Sequence, residues 1–325
     1  SWQTTTECNG GLDIGLFNGR LSAGVDVFYK KTRDLLSTID LKLVHGFNGY
    51  TENIGSTENV GYEAMLGGYI LRNPGVGFTW NVTGKLAYTR NKILTLSDEL
   101  KRETEKRRQT SEYGTLFYEG RSQNSIYAVR SLGINPADGE ELFLDAEGNV
   151  TKTWDPSYRV YCGVGEPTFR GSLNSLISYK NLSFNLSFGF HWGGKQYNST
   201  LLDKVEVPVG LEGSGVDRSI INNVDNRVFT ERWQKAGDYK FFKGYSDEAT
   251  RSSSRFVMDD KVFQLQSLSL QYSWRTGFVK KVLHAETVNL SVNMSDLFYL
   301  SSIKRERGTD YPFANNIQFA FSVIF

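Results

Sequence analysis

The sequence predicts an all-β chain, a transmembrane antiparallel β-barrel, and three observations carry that reading. Large apolar and polar residues alternate with period two along much of the chain. Tight turns and long polar connections follow one another in alternation, as between the two ends of an outer-membrane barrel. Aromatic residues gather toward the ends of the alternating segments, where barrels meet the lipid–water boundary.

The first elements are Leu12 to Leu16 and Leu21 to Tyr29, flanking Asn18-Gly19, a strong hairpin signal. Tyr62 to Ile70 follows, and Asn73-Pro74-Gly75 turns it into Phe78, Trp80, Val82, Leu86 and Tyr88 against Thr79, Asn81, Thr83 and Lys85. Weaker strands are expected near Tyr113–Glu119 and Ser125–Leu132, with a turn near Gly120-Arg121. Phe169 to Tyr179 then passes through Lys180-Asn181 into the clearest segment. There Leu182, Phe184, Leu186, Phe188, Phe190 and Trp192 alternate with Ser183, Asn185, Ser187, Gly189 and His191. Leu268 to Trp274 leads past Gly277 to Val288, Leu290, Val292 and Met294 against Thr287, Asn289, Ser291 and Asn293. The chain closes on Ile317, Phe319, Phe321, Val323 and Phe325. The expectation is about eleven strands, many near the ~9–11 tilted residues that cross a bilayer.

Long polar segments lie at 31–57, 93–111, 134–166, 193–261 and 297–314. Loops of that length need a special reason in a soluble domain. The bulky rows are therefore expected to face lipid, with Phe184, Phe188, Phe319 and Phe321 as examples. The opposite rows are mostly Ser, Thr, Asn and Gly, with charges such as Asp26 and Glu63. Asn81, Lys85, Arg170, Asn185, Asn289 and Asn293 are expected to face a wet or plugged lumen. The rival reading is a soluble β-sandwich that binds glycans, whose apolar face would pack on a second sheet.

Composition narrows the class. The 325 residues hold 37 Lys and Arg against 36 Asp and Glu, a net charge of +1, so no long-range field points to nucleic acid. No apolar run is long enough for a transmembrane helix, which leaves a barrel open. Cys8 and Cys162 have no metal-ligand spacing, and their pairing stays open. The chain starts at Ser1 without a leader, so it reads as processed or as a piece of a longer chain. The count of strands is odd, and two unpaired edges in lipid would be costly. The simplest repair is that the chain is the C-terminal half of a larger barrel.

Several stretches resemble one family. They are Gly11-Leu-Asp-Ile-Gly-Leu-Phe-Asn-Gly-Arg-Leu-Ser22, Val27-Phe-Tyr-Lys-Lys-Thr-Arg-Asp-Leu-Leu36, Glu58-Asn-Val-Gly-Tyr-Glu63 and Asn91-Lys-Ile-Leu94. Gly133 to Gly139 has a Pro-x-x-Gly turn before an Asp-x-x-Gly turn at Asp145 to Gly148. Arg232-Trp233 precedes Gly237-Asp238, with Ala236 where the family usually has Pro, and Val262 to Tyr272 alternates in Leu. In this order they resemble the SusC/RagA family of TonB-dependent outer-membrane transporters of Bacteroidetes, over nearly the whole length. The resemblance implies a barrel of about 22 strands, half of it here. An N-terminal extension, a TonB box, a plug and the first barrel half would lie outside this chain. It also implies a SusD-like lipoprotein lid, the TonB complex as driver, glycans or peptides as substrate, an outer-membrane location and no cofactor. Phe325 would be the terminal aromatic used in barrel assembly.

Other motifs carry less. Gly189 to Lys195 has phosphate-loop spacing, but it lies in a strand with no helix after it, so a strand exit is expected. His45, His191 and His284 are isolated, and no metal site is expected. Asp145 to Asn149 reads as a β-turn, not a calcium loop. Lys101 to Arg108 is interleaved with acids and reads as a solvated loop with a short helix. Trp233, Tyr239, Phe241, Phe242 and Tyr245 lie in the polar 193–261 segment. They could stack on sugars, seat a partner or form the loop's own core. No nucleophile elbow or metalloprotease motif appears, so an enzyme, including a barrel phospholipase or protease, is not expected.

Overall fold

The computed structural model describes residues 2–40, 49–53, 55–110, 116–206, 226–244, 250–275, 277–282, 284–303 and 315–325. The first strands are β1 (Thr4–Leu16), β2 (Leu21–Arg33), β3 (Leu36–Asp40), β4 (Gly49–Asn53), β5 (Gly55–Asn73) and β6 (Phe78–Leu96), followed by helix α1 (Asp98–Thr110). Short strands come next: β7 (Ser125–Val129), β8 (Ser131–Ile134), β9 (Glu141–Leu144), β10 (Val150–Thr151) and β11 (Arg159–Val164). Then come β12 (Phe169–Tyr179), β13 (Leu182–Tyr197), α2 (Ser199–Val205), α3 (Arg227–Thr230), β14 (Val257–Trp274), α4 (Gly277–Val282), β15 (Thr287–Ser301) and β16 (Asn316–Ile324).

Nine long strands make one antiparallel sheet in the order β1-β2-β5-β6-β12-β13-β14-β15-β16. The sheet is not closed, and among the described residues the outer edges of β1 and β16 carry no partner strand. Every step along it is a chain reversal, so connections emerge alternately at two ends. One end holds the turns at 17–20, 74–77 and 180–181 and the short link that contains α4. Asn18 and Gly19 both have positive φ (55° and 75°), a conformation these two residue types accept readily, whereas at 180–181 it is Lys180 that takes it (51°). The other end holds the long connections, with β3–β4, α1, β7–β11 and α2–α3 folded into them.

Nine of the expected segments are the nine strands of this sheet; most are longer than the alternation alone suggests, while β12 has the expected bounds and β16 the expected length. The other two are not part of it. Residues 113–115 lie outside the described residues, and 116–119 form no strand. Ser125–Val129 instead pairs with β11 in a separate two-stranded sheet. Aromatic packing accounts for the diversion: Tyr127 sits between Tyr118 and Tyr161, with ring centroids 5.2 and 5.9 Å away. The sheet therefore contributes nine strands, not eleven, and the number remains odd.

Helix α1 forms where a short helix was expected. Ser97 caps it through Oγ, which accepts from the Leu100 N–H at 3.3 Å. Asp98 and Glu99 occupy the first turn and Arg107 and Arg108 the last, as the helix dipole favours. The 189–195 stretch is not a strand exit: it stays within β13, bulged between His191 and Gly194, with Gly193 at φ +84°. Against expectation, a short helix (α2) does follow at Ser199. Asp145 closes a β-turn by accepting from the N–H groups of Glu147 and Asn149, with Gly148 at φ +89°. Cys8 and Cys162 are both free thiols.

Candidate functional site

Two regions of the molecule concentrate chemistry: the polar face of the sheet, and the cap built from its long connections. Register fixes the faces. Residues paired across antiparallel strands share a face, and successive residues alternate. One row reads Asp26–Glu63–Ala87–Arg170–His191 through β2, β5, β6, β12 and β13. Two residues toward the short turns, Met65, Lys85, Ser172 and Gly189 pair. Further along come Thr83, Asn174, Ser187, Ser267 and Ser295, and then Asn81, Leu176, Asn185, Ser269 and Asn293.

All six residues expected on a polar face, Asn81, Lys85, Arg170, Asn185, Asn289 and Asn293, therefore share one. Their amides join neighbouring strands: Ser269 Oγ donates to Asn293 Oδ1 at 2.6 Å, and Ser273 Oγ to Asn289 Oδ1 at 2.7 Å. Asn289 Nδ2 continues to Ser322 Oγ at 3.3 Å. A cavity of about 450 Å³ on this face is lined by Asp13, Asp26, Glu63, Lys85 and Arg170, acids on β1, β2 and β5 beside bases on β6 and β12. His191 Nε2 meets Asp260 Oδ2 at 3.0 Å at the loop end. Among the described residues no cluster of His, Cys, Asp and Glu could hold a metal. The face offers water-compatible donors and acceptors over the length of the strands.

The opposite face is apolar and stays uncovered. Phe184 pairs with Ile177 and Leu270, Phe188 with Leu173 and Leu265, and Phe319 and Phe321 with Val292 and Leu290. Phe319 and Phe321 are 77% and 65% exposed, and Leu66 is 58% exposed; among the described residues no second layer packs on them. A sandwich would bury these side chains, and among the described residues no second sheet packs on this face, so the soluble alternative is not favoured. The face ends in aromatics on both sides. Toward the loops Tyr62, Tyr88, Phe169 and Trp192 are ladder neighbours, with successive ring centroids 4.7, 5.2 and 5.1 Å apart. Toward the turns lie Phe78, Tyr179, Tyr272 and Trp274. Trp80 lies just inside that border, and its indole N–H donates to Ser175 Oγ at 3.0 Å, a partner in an otherwise apolar row. Phe325, 81% exposed, follows directly on β16.

The cap gathers two long connections around buried charge. Arg255 Nη2 lies 2.7 Å from Glu141 Oε2 and 2.9 Å from Glu206 Oε2, Nη1 also bonds Glu206, and its side chain is 3% exposed. Ser253 Oγ donates to Glu141 Oε1 at 2.6 Å. Burial alone would raise the Glu206 carboxyl, but the guanidinium outweighs it and holds the group below the ordinary carboxylate value. The Arg255 guanidinium lies over the Phe256 ring at 4.5 Å. Arg232, fully buried, donates to the carbonyls of Val205, Glu206 and Lys243. Beside this knot, Leu201, Val205, Val228, Phe242 and Phe256 form a small core.

The cap aromatics thus divide. Phe242 is in that core, and Phe241 packs edge-on against Phe242 and Phe256. Trp233 is half-buried; its Nε1 donates to the Pro136 carbonyl at 3.0 Å and its ring covers Gly139. Tyr239 alone stands out, 87% exposed. Tyr245 lies outside the described residues, as does His45. The Arg-Trp and Gly-Asp pairs are the loop's clasp. Gly237 (φ +95°) donates to Pro136, and Asp238 Oδ2 accepts from the Gln234 and Lys235 N–H groups.

One prediction arises here. A Cβ on Gly139 would stand 2.4 Å from the Trp233 ring, and its φ is +77°. Gly139→Val is expected to release Trp233 and cost about 1–3 kcal/mol. Trp233 fluorescence should shift to the red, and proteolysis near 226–244 should speed up. An unchanged emission and cleavage pattern would contradict the clasp.

Sequence reading missed the Arg255–Glu141–Glu206 knot. Its members lie 114 and 49 residues apart and sit in unpatterned polar sequence. A hint lay only in the Ser-rich run 252–254 before Arg255, which leads into β14.

No protein-family model matches the chain. It is 29% identical to TonB-dependent receptor P3 of Formosa agariphila, over 97% of this chain and 30% of that protein. It is 26% identical to TonB-dependent receptor SusC of Bacteroides thetaiotaomicron, over 86% of the chain and 27% of the relative. Solved structures of the RagAB peptide transporter superpose with a TM-score of 0.77 at 22% identity, over 94% of this chain and 32% of that one. The chain is similar to TonB-dependent receptors of the SusC/RagA kind. It spans about a third of the length of the SusC/RagA relatives it matches. The nine-stranded sheet has the fold of these receptors' β-rich chains. The relatives are named as receptors and the solved structures as a peptide transporter.

Proposed function

We propose that the chain is a wall segment of an outer-membrane, TonB-dependent nutrient importer, with its apolar face in lipid and its polar face lining the passage. One observation carries the reading: an uncovered apolar face bounded by aromatic rows at both ends, opposite a face of Ser, Thr, Asn and charges. From Phe78 to Tyr88 along β6 the strand rises ~33 Å. At a barrel tilt of ~40° that is a band of ~25 Å, the height of the apolar belt of outer-membrane barrels. Phe184, Phe188, Phe319 and Phe321 then meet lipid. Asn81, Lys85, Arg170, Asn185, Asn289 and Asn293 meet water, substrate or plug.

The finer reading rests on the likeness to SusC/RagA receptors. The free edges of β1 and β16 pair with further strands of the same protein to close about 22 in all, and this chain is the C-terminal part of that barrel. A SusD-like lipoprotein covers the long-loop end, TonB drives import through a segment outside this chain, and Phe325 serves assembly. RagAB is a peptide transporter, and glycans suit the exposed Tyr239 as well as peptides do. In cells, deleting the gene for the full-length protein is expected to abolish growth on its substrate, with the same loss on deleting tonB. Growth independent of tonB would overturn the proposal.

A further inference from the structure

The loop-side aromatic row is not the end of the lipid-side face. The next residues on that face are Tyr29, Val60 and Arg90, paired across β2, β5 and β6. The next again are Lys31, Glu58 and Lys92. Arg33 follows on β2 with the same parity. Arg90 also lines a cavity of about 260 Å³ with Tyr88, Arg121, Tyr161, Glu166 and Thr168, where Arg121 lies 4.3 Å over the Tyr161 ring. Five cations thus crown the aromatic row against two carboxylates. Glu58 is engaged already, 3.9 Å from Lys92 Nζ and accepting from the Tyr29 hydroxyl at 3.5 Å. Among the described residues, no carboxylate lies within ion-pair distance of Lys31, Arg33, Arg90 or Arg121.

Cations one to two same-face steps above an interfacial aromatic row sit at the depth of lipid headgroups. We propose that Lys31, Arg90 and Lys92, with Arg121 beside them, bind the headgroup of a membrane lipid that carries more than one phosphate. Its acyl chains run down the face over Tyr62, Leu66 and Leu86. Lys31 and Lys92 stand on strands two apart, about 10 Å, which suits two phosphates on one headgroup better than a single free phosphate. The surface is continuous with the apolar face, so lipid is the occupant that satisfies both. This inference rests on the membrane reading above and adds to it a headgroup chemistry and a place.

The test uses the full-length protein in detergent, with bound lipid counted by native mass spectrometry. The probes are lipid A, phosphatidylcholine and inorganic phosphate. Lipid A is expected to be retained at least about tenfold more tightly than phosphatidylcholine. K31Q/R90Q/K92Q is expected to weaken lipid A on the order of a hundredfold, about fivefold per charge, while K31R/R90K/K92R retains it. Heat-modifiable gel mobility reports whether each variant forms a barrel, so a folding failure is seen separately. Equal retention of the two lipids, an unaffected triple variant, or phosphate alone binding as tightly as lipid A would each overturn the inference. Insertion into vesicles without headgroup preference removes this inference alone, and failure to insert removes the membrane reading as well.

Discussion

Phe188→Arg is expected to destabilise the protein in phospholipid vesicles by about 2–4 kcal/mol, the cost of an Arg facing lipid at mid-bilayer. Phe188 pairs with Leu173, which pairs with Gly84 and, through it, Leu66, so it lies about midway between the two aromatic rows. Phe184 lies beside Ile177 and Trp80, closer to the turn-side row, and Phe184→Arg is expected to cost less. Ser187→Arg, one residue away on the polar face, is the control and should cost little. Urea titration in vesicles with tryptophan emission reads all three. Equal costs at 187 and 188 would mean that the two faces meet the same medium.

The second large effect is expected in the cap. Arg255→Met leaves Glu141 and Glu206 buried without their counter-charge, and removing one partner of a buried pair costs about 3–5 kcal/mol. The cost falls on the cap, since the knot joins long connections and not the nine-stranded sheet. Hydrogen exchange should rise at 199–206 and 250–258 and stay unchanged in β12 and β13. Adding Glu141→Gln and Glu206→Gln to Arg255→Met should restore part of the protection by removing the orphaned charges. No change in exchange on Arg255→Met would refute the knot's role in holding the cap.

The same knot sets a pH dependence. The Glu206 carboxyl titrates lower folded than unfolded, so its stabilisation is complete above the unfolded value of about 4.5. It is lost as pH falls through the lower folded value. Cap protection should be flat from neutral pH to about 5 and decline only below about 4.5.

Strand alternation was legible because one side of each ribbon is uniformly bulky. Leu182 to Trp192 and Ile317 to Phe325 reveal both their strands and their faces without the structure. The hairpin at Asn18-Gly19 was legible through residues that accept positive φ, while at Lys180-Asn181 the positive φ falls on Lys180 and not on the Asn. Strand ends were not. Glu58, Lys92 and Lys195 extend β5, β6 and β13 into charged sequence, where pairing with a neighbouring strand, not hydrophobic period, sustains the ladder. Ser125–Val129 has the composition of a sheet strand, yet Tyr118, Tyr127 and Tyr161 hold it in the cap. The aromatics of the 193–261 segment stood out in the sequence. Their division into clasp, core and one exposed ring depended on contacts such as Trp233 on Gly139, which join residues far apart in the sequence.

A nitroxide scan of β13 tests the central claim most directly. In the full-length protein with Cys8 and Cys162 replaced by Ser, single cysteines at positions 182 to 192 are spin-labelled in lipid vesicles. Collision rates with oxygen and with a water-soluble nickel complex are then compared. The even positions are expected to favour oxygen and the odd ones nickel, with the contrast greatest near Phe188. Collision rates without this two-residue alternation, or nickel reaching 184, 186 and 188 as freely as 185 and 187, would contradict lipid contact.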